Sequence, residues 1–301
     1  MTIRQTVRSI ATKLPLVGPM ILHNDRLLRE TAELRNRLSE AEQNPPDTTS
    51  ILDAYVSSPP SREAAFRIYD GTWTSYVPGY GLGVTPLFDD GRIRWFERQC
   101  GGFKGKRVLE LGPLEGGHTH MLSQAGAASI TSIESSTIAF LKCLLVQNAL
   151  KFHADFLLGD FRHYLDTCTV TYDLLVASGV LYHVTEPVKL LQDMAKVSSA
   201  IGIWTHYYDA DIILAREELR RRFDSEPLVQ LVGGREILAY KQRYLDALKS
   251  KGFCGGSAPT SYWLTKESIL GVLSDLGFQV VIGDDTKDHP NGPAMTLFAS
   301  R

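Results

Sequence analysis

The stretch RVLELGPLEGGHT, from Arg107 to Thr119, constrains the fold more than any other part of the chain. Val108, Leu109 and Leu111 supply a buried-strand pattern. Gly112 and Gly116 follow in a turn that lets the backbone bend tightly and approach a ligand, and helix is predicted from His118 to Ala125. This is how a nucleotide-binding βα unit begins. Glu110 narrows the reading: a dinucleotide fold receives pyrophosphate at a helix N-terminus, whereas a carboxylate here repels phosphate and attracts an ammonium group.

With 301 residues, 44% of them hydrophobic, the chain can bury a full α/β core and still have length to spare. A formal net charge of -2 argues against wholesale nucleic-acid binding, although a local basic patch does not show in the total. Cys100, Cys143, Cys168 and Cys254 are scattered, with neither the close pairs of a zinc site nor the density of a disulfide scaffold. No apolar run reaches transmembrane length, and the N-terminus lacks the uninterrupted apolar region of a secretion signal. A cytoplasmic protein is expected.

Three regions are predicted: a helical extension over 1–45, an aromatic-rich lead-in or cap over 46–105, and an α/β domain over 106–301 with a lid insertion at 207–262. In the first, Ile3, Val7, Ile10 and Leu14 recur at helical spacing among Arg4, Arg8 and Lys13, a basic amphipathic helix. Pro15 and Pro19 break it before a second helical stretch, Leu22 to Gln43, in which Leu27, Leu34 and Leu38 suit a short coiled-coil seam. Two readings stand: packing on the chain's own domain or pairing of two subunits, and peripheral attachment to the anionic inner membrane surface. In the lead-in, Tyr69, Trp73, Tyr76 and Tyr80 lie among Gly and Pro, either capping a ligand pocket or covering the edge of the core.

Beyond Lys106 strand and helix alternate. Strands are predicted at Arg107–Leu111, Ser129–Glu134, Ala154–Gly159, Asp173–Ala177, Ala200–His206, Phe278–Ile282 and Met295–Ser300. Helices are predicted at His118–Ala125, Ser136–Leu150, Glu186–Val197 and Lys266–Leu276. The pattern implies an α/β, Rossmann-like, doubly wound sheet of seven mostly parallel strands, with ligands bound beyond the strands' carboxyl ends. Polar residues occupy those ends. Glu134 closes the second strand, roughly 20 residues past the glycine turn, where a carboxylate accepts both ribose hydroxyls. Asp160 and Phe161 follow the third, suited to an adenine amino group and ring face; Ser178, Tyr182 and His183 follow the fourth, and Thr205 and His206 end the fifth.

These residues resemble the class I S-adenosylmethionine-dependent methyltransferases over roughly Lys106 to Arg301. VLELGPLEGG matches that family's E-x-G-x-x-x-G loop through Glu110, Gly112 and Gly116, Glu134 its ribose-binding acid, and Gly159 to Phe161 its adenine-contacting segment. The resemblance implies S-adenosyl-L-methionine as cofactor, with Ser178 beside it. Pro113 departs from the small or sulfur-containing residue often found there, at the cost of one backbone donor. GVLYHVTEPVKLL is similar to a segment of the tRNA wobble-uridine carboxymethyltransferase group, which places Tyr182 near the transferred group.

Methyl transfer asks mainly for an in-line nucleophile and, for a hydroxyl acceptor, a base. His183 and His206 are the base candidates beside Tyr182. Asp209 and Asp211 lack a recognisable third metal ligand, so no metal is expected. In the insertion, Ala215–Phe223 and Glu236–Leu248 read as helices. Arg216 and the run Arg220 to Arg222 offer either an anion-binding surface or a solvated helix face. The expected activity is O-methylation of a small-molecule or glycan-linked acceptor. The alternatives are a tRNA-modifying methyl- or carboxymethyltransferase, and a cofactor-binding assembly protein without turnover.

Overall fold

The computed structural model describes residue 31 and residues 55–57, 59–249, 255–256 and 258–301. The chain divides into two units, residues 1–59 and 60–301. The amphipathic helix and coiled-coil seam expected within the first 45 residues lie outside the described residues, as does Cys254. Among the described residues, no helix is long and apolar enough to cross a membrane.

The second unit opens with helix α1 (Arg62–Arg67) and helix α2 (Gly91–Gln99), then alternates. Strand β1 (Arg107–Leu111), helix α3 (Gly117–Gln124), strand β2 (Ser129–Glu134), helix α4 (Thr137–Leu150) and strand β3 (Asp155–Leu158) form its first half. Helix α5 (Phe161–Thr167), strand β4 (Leu174–Ser178), helix α6 (Pro187–Val197) and strand β5 (Ala200–His206) follow. Each element expected from Arg107 to His206 is present within two residues at either end, and α5 is an addition. Its start is set by Asp160, whose side chain accepts the Arg162 amide as an N-cap.

The strands form a seven-stranded sheet ordered β3-β2-β1-β4-β5-β10-β9, completed by β9 (Gln279–Thr286) and β10 (Ala294–Ser300). Pairs among β1 to β5 are parallel, while β10 runs antiparallel to both β5 and β9. Both faces are covered, which explains the near-continuous apolar strands. Leu109, Leu175 and Ile203 pack with Leu190, Leu191 and Met194 of α6. Val108, Val176 and Phe298 pack with Ile93 and Phe96 of α2 and Leu122 of α3. Strand order reverses between β1 and β4, so their carboxyl ends open a crevice there.

The insertion differs from its expected form. It begins with short helices α7 (Ala210–Ala215) and α8 (Glu217–Arg220), broken at Arg216, rather than one helix over Ala215–Phe223. Glu236–Leu248 is not a helix either. Strand β7 (Arg235–Arg243) lies between β6 (Leu228–Val232) and β8 (Thr260–Leu264) in an antiparallel sheet. The cause is the Gly233-Gly234 turn: both residues have positive φ, and Val232 pairs directly with Arg235 in a two-residue hairpin. Ile237 and Ala239 then alternate inward at the strand period. Helix α9 (Lys266–Asp275) follows, capped by the Thr265 hydroxyl.

Lead-in aromatics cover the core: Trp73 and Tyr80 pack with Phe66, Cys143, Val146 and Phe152. Their backbone is pinned by Glu115, whose buried carboxylate accepts the Thr74 and Ser75 amides and Lys142 Nζ at 2.8 Å. Lys142, also buried, donates to the Thr72 carbonyl at 2.6 Å. Removing one member of such a pair leaves an uncompensated buried charge. Glu115→Ala is therefore expected to cost about 3–5 kcal/mol in urea unfolding, and a cost below about 1 kcal/mol would contradict this anchoring role.

Candidate active site

The carboxyl ends of β1 to β4 surround a cavity of about 500 Å³, within the usual range of small-molecule clefts of roughly 300–1,000 Å³. Its first wall is the turn after β1. Gly112 has φ +65° and Gly116 +76°, conformations that favour glycine, and a Cβ on Gly112 would reach within 3.0 Å of Val180 Cγ2. Leu114 also has positive φ, at 56°, and its amide donates to Glu134 Oε2 at 3.1 Å. The carboxylate at the end of β2 thus holds the turn beside β1 in its unusual shape. Glu134 Oε1 accepts the Ser136 amide at 2.8 Å, yet the side chain still lines the cavity. Burial raises its pKa, opposed by the backbone donors of Ser136, Leu114 and Ser135.

Asp160 and Phe161 line the cavity beyond β3. Burial pushes the Asp160 carboxyl up, but hydrogen bonds from the Arg162 guanidinium and amide outweigh it and leave the pKa lowered. Ser178, Tyr182 and His183 line the side beyond β4, and the Ser178 hydroxyl is buried without a hydrogen-bond partner among the described residues.

Glu110 and Gly116 do not reach the cavity wall. Glu110 lies in β1 beneath the turn, fully buried, where Oε2 accepts from Thr119 Oγ1 at 2.5 Å and Ser132 Oγ at 2.8 Å. It ties α3 to β2, and burial raises its pKa. Its Oε1 has no partner among the described residues, a buried acceptor adjoining the ligand loop. Gly116 is the left-handed N-cap of α3.

The two expected base candidates separate. His183 lines the cavity, and its Nδ1 lies 2.7 Å from the Tyr244 hydroxyl of the insertion. His206 is 3% exposed and stands behind the wall, stacked on Trp263 with ring centroids 4.9 Å apart. Its Nδ1 faces the carbonyls of Gly292 and Pro293 at 2.9 and 3.1 Å, which fixes the proton on Nδ1. Burial lowers the pKa of His183 to about 3 and that of His206 to about 4.

Residues 109–204 match the family model described as a methyltransferase domain. Over 152 residues, taking in 48% of its length, this chain is 24% identical to the tRNA U34 carboxymethyltransferase of Campylobacter fetus subsp. fetus (strain 82-40). The match takes in 47% of that protein, so the chain spans about half the length of this curated relative. The N-terminal domain of EvdMO1 with SAH bound is similar in fold, with a TM-score of 0.58 and 20% identity over 80% of this chain and 94% of that one. The same domain in the presence of SAH and D-fucose gives a TM-score of 0.57 at the same identity and coverage.

The cavity also takes Leu87, Arg92, His118 and Trp204, which the strand-end pattern did not bring forward. Arg92 lies over the Trp204 ring at 4.6 Å. Arg216 is otherwise engaged: its guanidinium donates to the carbonyls of His289 and Pro290 and pairs with Glu218, fastening a loop rather than facing the cavity. Asp209 caps α7 by accepting the Asp211 and Ile212 amides.

His206, buried, and His183, half-buried on the cavity wall, are both neutral when folded and take protons when the chain unfolds. With folded pKa values below the ordinary 6.5, stability falls as pH drops from about 6.5 toward 4, by up to about 1.4 kcal/mol per pH unit for each ring. Urea midpoints measured between pH 7 and 4.5 are expected to show this slope, and His206→Asn to flatten it. A slope unchanged by that substitution would contradict burial of a neutral ring.

Proposed function

We propose that the protein is an S-adenosylmethionine-dependent methyltransferase acting on a hydroxyl oxygen of a small-molecule or glycan-linked acceptor. The observation that carries this reading is Glu134: a buried carboxylate that shapes the glycine turn and still opens on the cleft at the strand-order reversal. Glu134 would hold the ribose, Asp160 and Phe161 the adenine, and the turn from Gly112 to Leu114 the amino-acid end. The orphaned Ser178 hydroxyl, on the cavity wall, suits a ligand that brings polar groups to this crevice. The bound sulfonium supplies an electrophilic methyl group. The chain's own task is to exclude water, hold the acceptor oxygen in line and take its proton.

The acceptor side favours a sugar ring. Tyr182 and Trp204 meet edge to face, with ring centroids 5.8 Å apart, and both line the cavity. With Arg92 over the Trp204 ring, this wall joins aromatic surface to a hydrogen-bond donor, as an acceptor with both apolar and hydroxyl groups requires, and the EvdMO1 domain, similar in fold, was crystallised in the presence of D-fucose. The Campylobacter relative supports a second reading, tRNA modification, which predicts strong, salt-sensitive retention of tRNA.

Incubation of a cell extract with methyl-labelled S-adenosylmethionine, followed by fractionation, tests the acceptor class: label is expected in a carbohydrate fraction, and label confined to tRNA would overturn that choice. By calorimetry, Glu134→Ala is expected to weaken SAH binding by about 1–3 kcal/mol, and unchanged affinity would refute its ribose role.

A further inference from the structure

Neither strand-end histidine is well placed to take a proton from an acceptor in the cleft. His206 stands outside the cavity wall, and burial makes the His183 ring a weak proton acceptor. A third histidine meets the geometric requirement. His118 sits in the first turn of α3, immediately after the glycine turn, and lines the cavity while only 8% exposed.

His118 Nε2 lies 2.8 Å from Asp90 Oδ2. Asp90, equally buried, caps α2 by accepting the Arg92 amide at 2.9 Å, and the Arg92 Nε contacts both its oxygens at 3.0 Å. Burial alone would raise the Asp90 carboxyl, but hydrogen bonds from His118 and Arg92 hold it well below the usual carboxylate range. It is therefore an acceptor only, and the proton between the two side chains belongs to His118 Nε2. With Nε2 committed to Asp90, the ring's second nitrogen is Nδ1, for which no hydrogen bond is found among the described residues. A carboxylate orienting an imidazole whose other nitrogen is unengaged in a cleft is the arrangement of a base and its orienter.

We propose that His118 is the general base for the acceptor hydroxyl, through Nδ1, and that Asp90 is the residue that positions it, itself held by Arg92. The inference rests on the methyl-transfer reading above. In the step, the acceptor O–H proton moves to His118 Nδ1 as the acceptor oxygen bonds to the methyl carbon. The electron pair of the broken carbon–sulfur bond stays on sulfur, and the imidazolium is stabilised by Asp90. Arg92, fixed between Asp90 and the Trp204 face, keeps this dyad and the aromatic wall in one frame.

The test uses the full chain labelled with nitrogen-15 in histidine and saturated with SAH. Long-range proton–nitrogen correlation spectra are expected to show neutral His118 protonated on Nε2, and Asp90→Asn to disturb that tautomer. In parallel, His118→Gln should slow labelled methyl transfer to the extract fraction modified by wild type by about 10²–10⁴-fold, with the SAH dissociation constant within about threefold of wild type. Neutral His118 carrying its proton on Nδ1, or a His118→Gln rate within about threefold of wild type, would overturn the assignment. Wild-type protein that fails to bind SAH would instead overturn the methyltransferase reading on which it rests.

Discussion

Glu115 is a buried carboxylate in the turn after β1, and the layout of the cleft depends on what neutralises it. Two backbone amides and Lys142 Nζ converge on its oxygens, while Lys142 also reaches the Thr72 carbonyl. Desolvating a carboxylate is offset only when partners occupy its lone pairs at this density. The turn, the face of α4 and the segment from Thr72 to Ser75 therefore assemble together. That fixes where the lead-in runs, and so delivers Leu87, Asp90 and Arg92 to the cavity side of the sheet, against His118.

Sheet order does the rest. Because β1 to β4 are parallel and the order reverses between β1 and β4, residues far apart in sequence end on one edge around one crevice. Glu134 works twice there, buttressing the positive-φ Leu114 and presenting a carboxylate to the cleft. Glu110, by contrast, works from below, joining β1, β2 and α3 through Thr119 and Ser132. One carboxylate shapes the foundation and the other meets the ligand space.

The main sheet was legible because its central strands are buried on both faces and end in turn residues, and because Pro187 in the first turn of α6 and Thr265 capping α9 mark helix boundaries. The joint placement of Glu134, Asp160, Phe161, Ser178, Tyr182 and His183 on one cavity followed from that alternation. Three things were hidden. Spacing alone cannot separate a strand-end carboxylate in the cleft from one beneath it, and Glu110, which the motif places toward the ligand, lies beneath. The apolar spacing of Glu236–Leu248 fits helix and strand alike, and the Gly233-Gly234 hairpin signal decides the matter. The Asp90–His118 pair joins an N-cap to a helix 28 residues away, a tertiary contact with no local signature apart from the cap itself.

A crystal structure of the protein with SAH tests the central claim most directly. The account predicts ribose hydroxyls on the Glu134 carboxylate, adenine beside Asp160 and Phe161, and the amino-acid end along Gly112 to Leu114. SAH bound elsewhere on the molecule, or a cleft left open at saturating SAH, would contradict it.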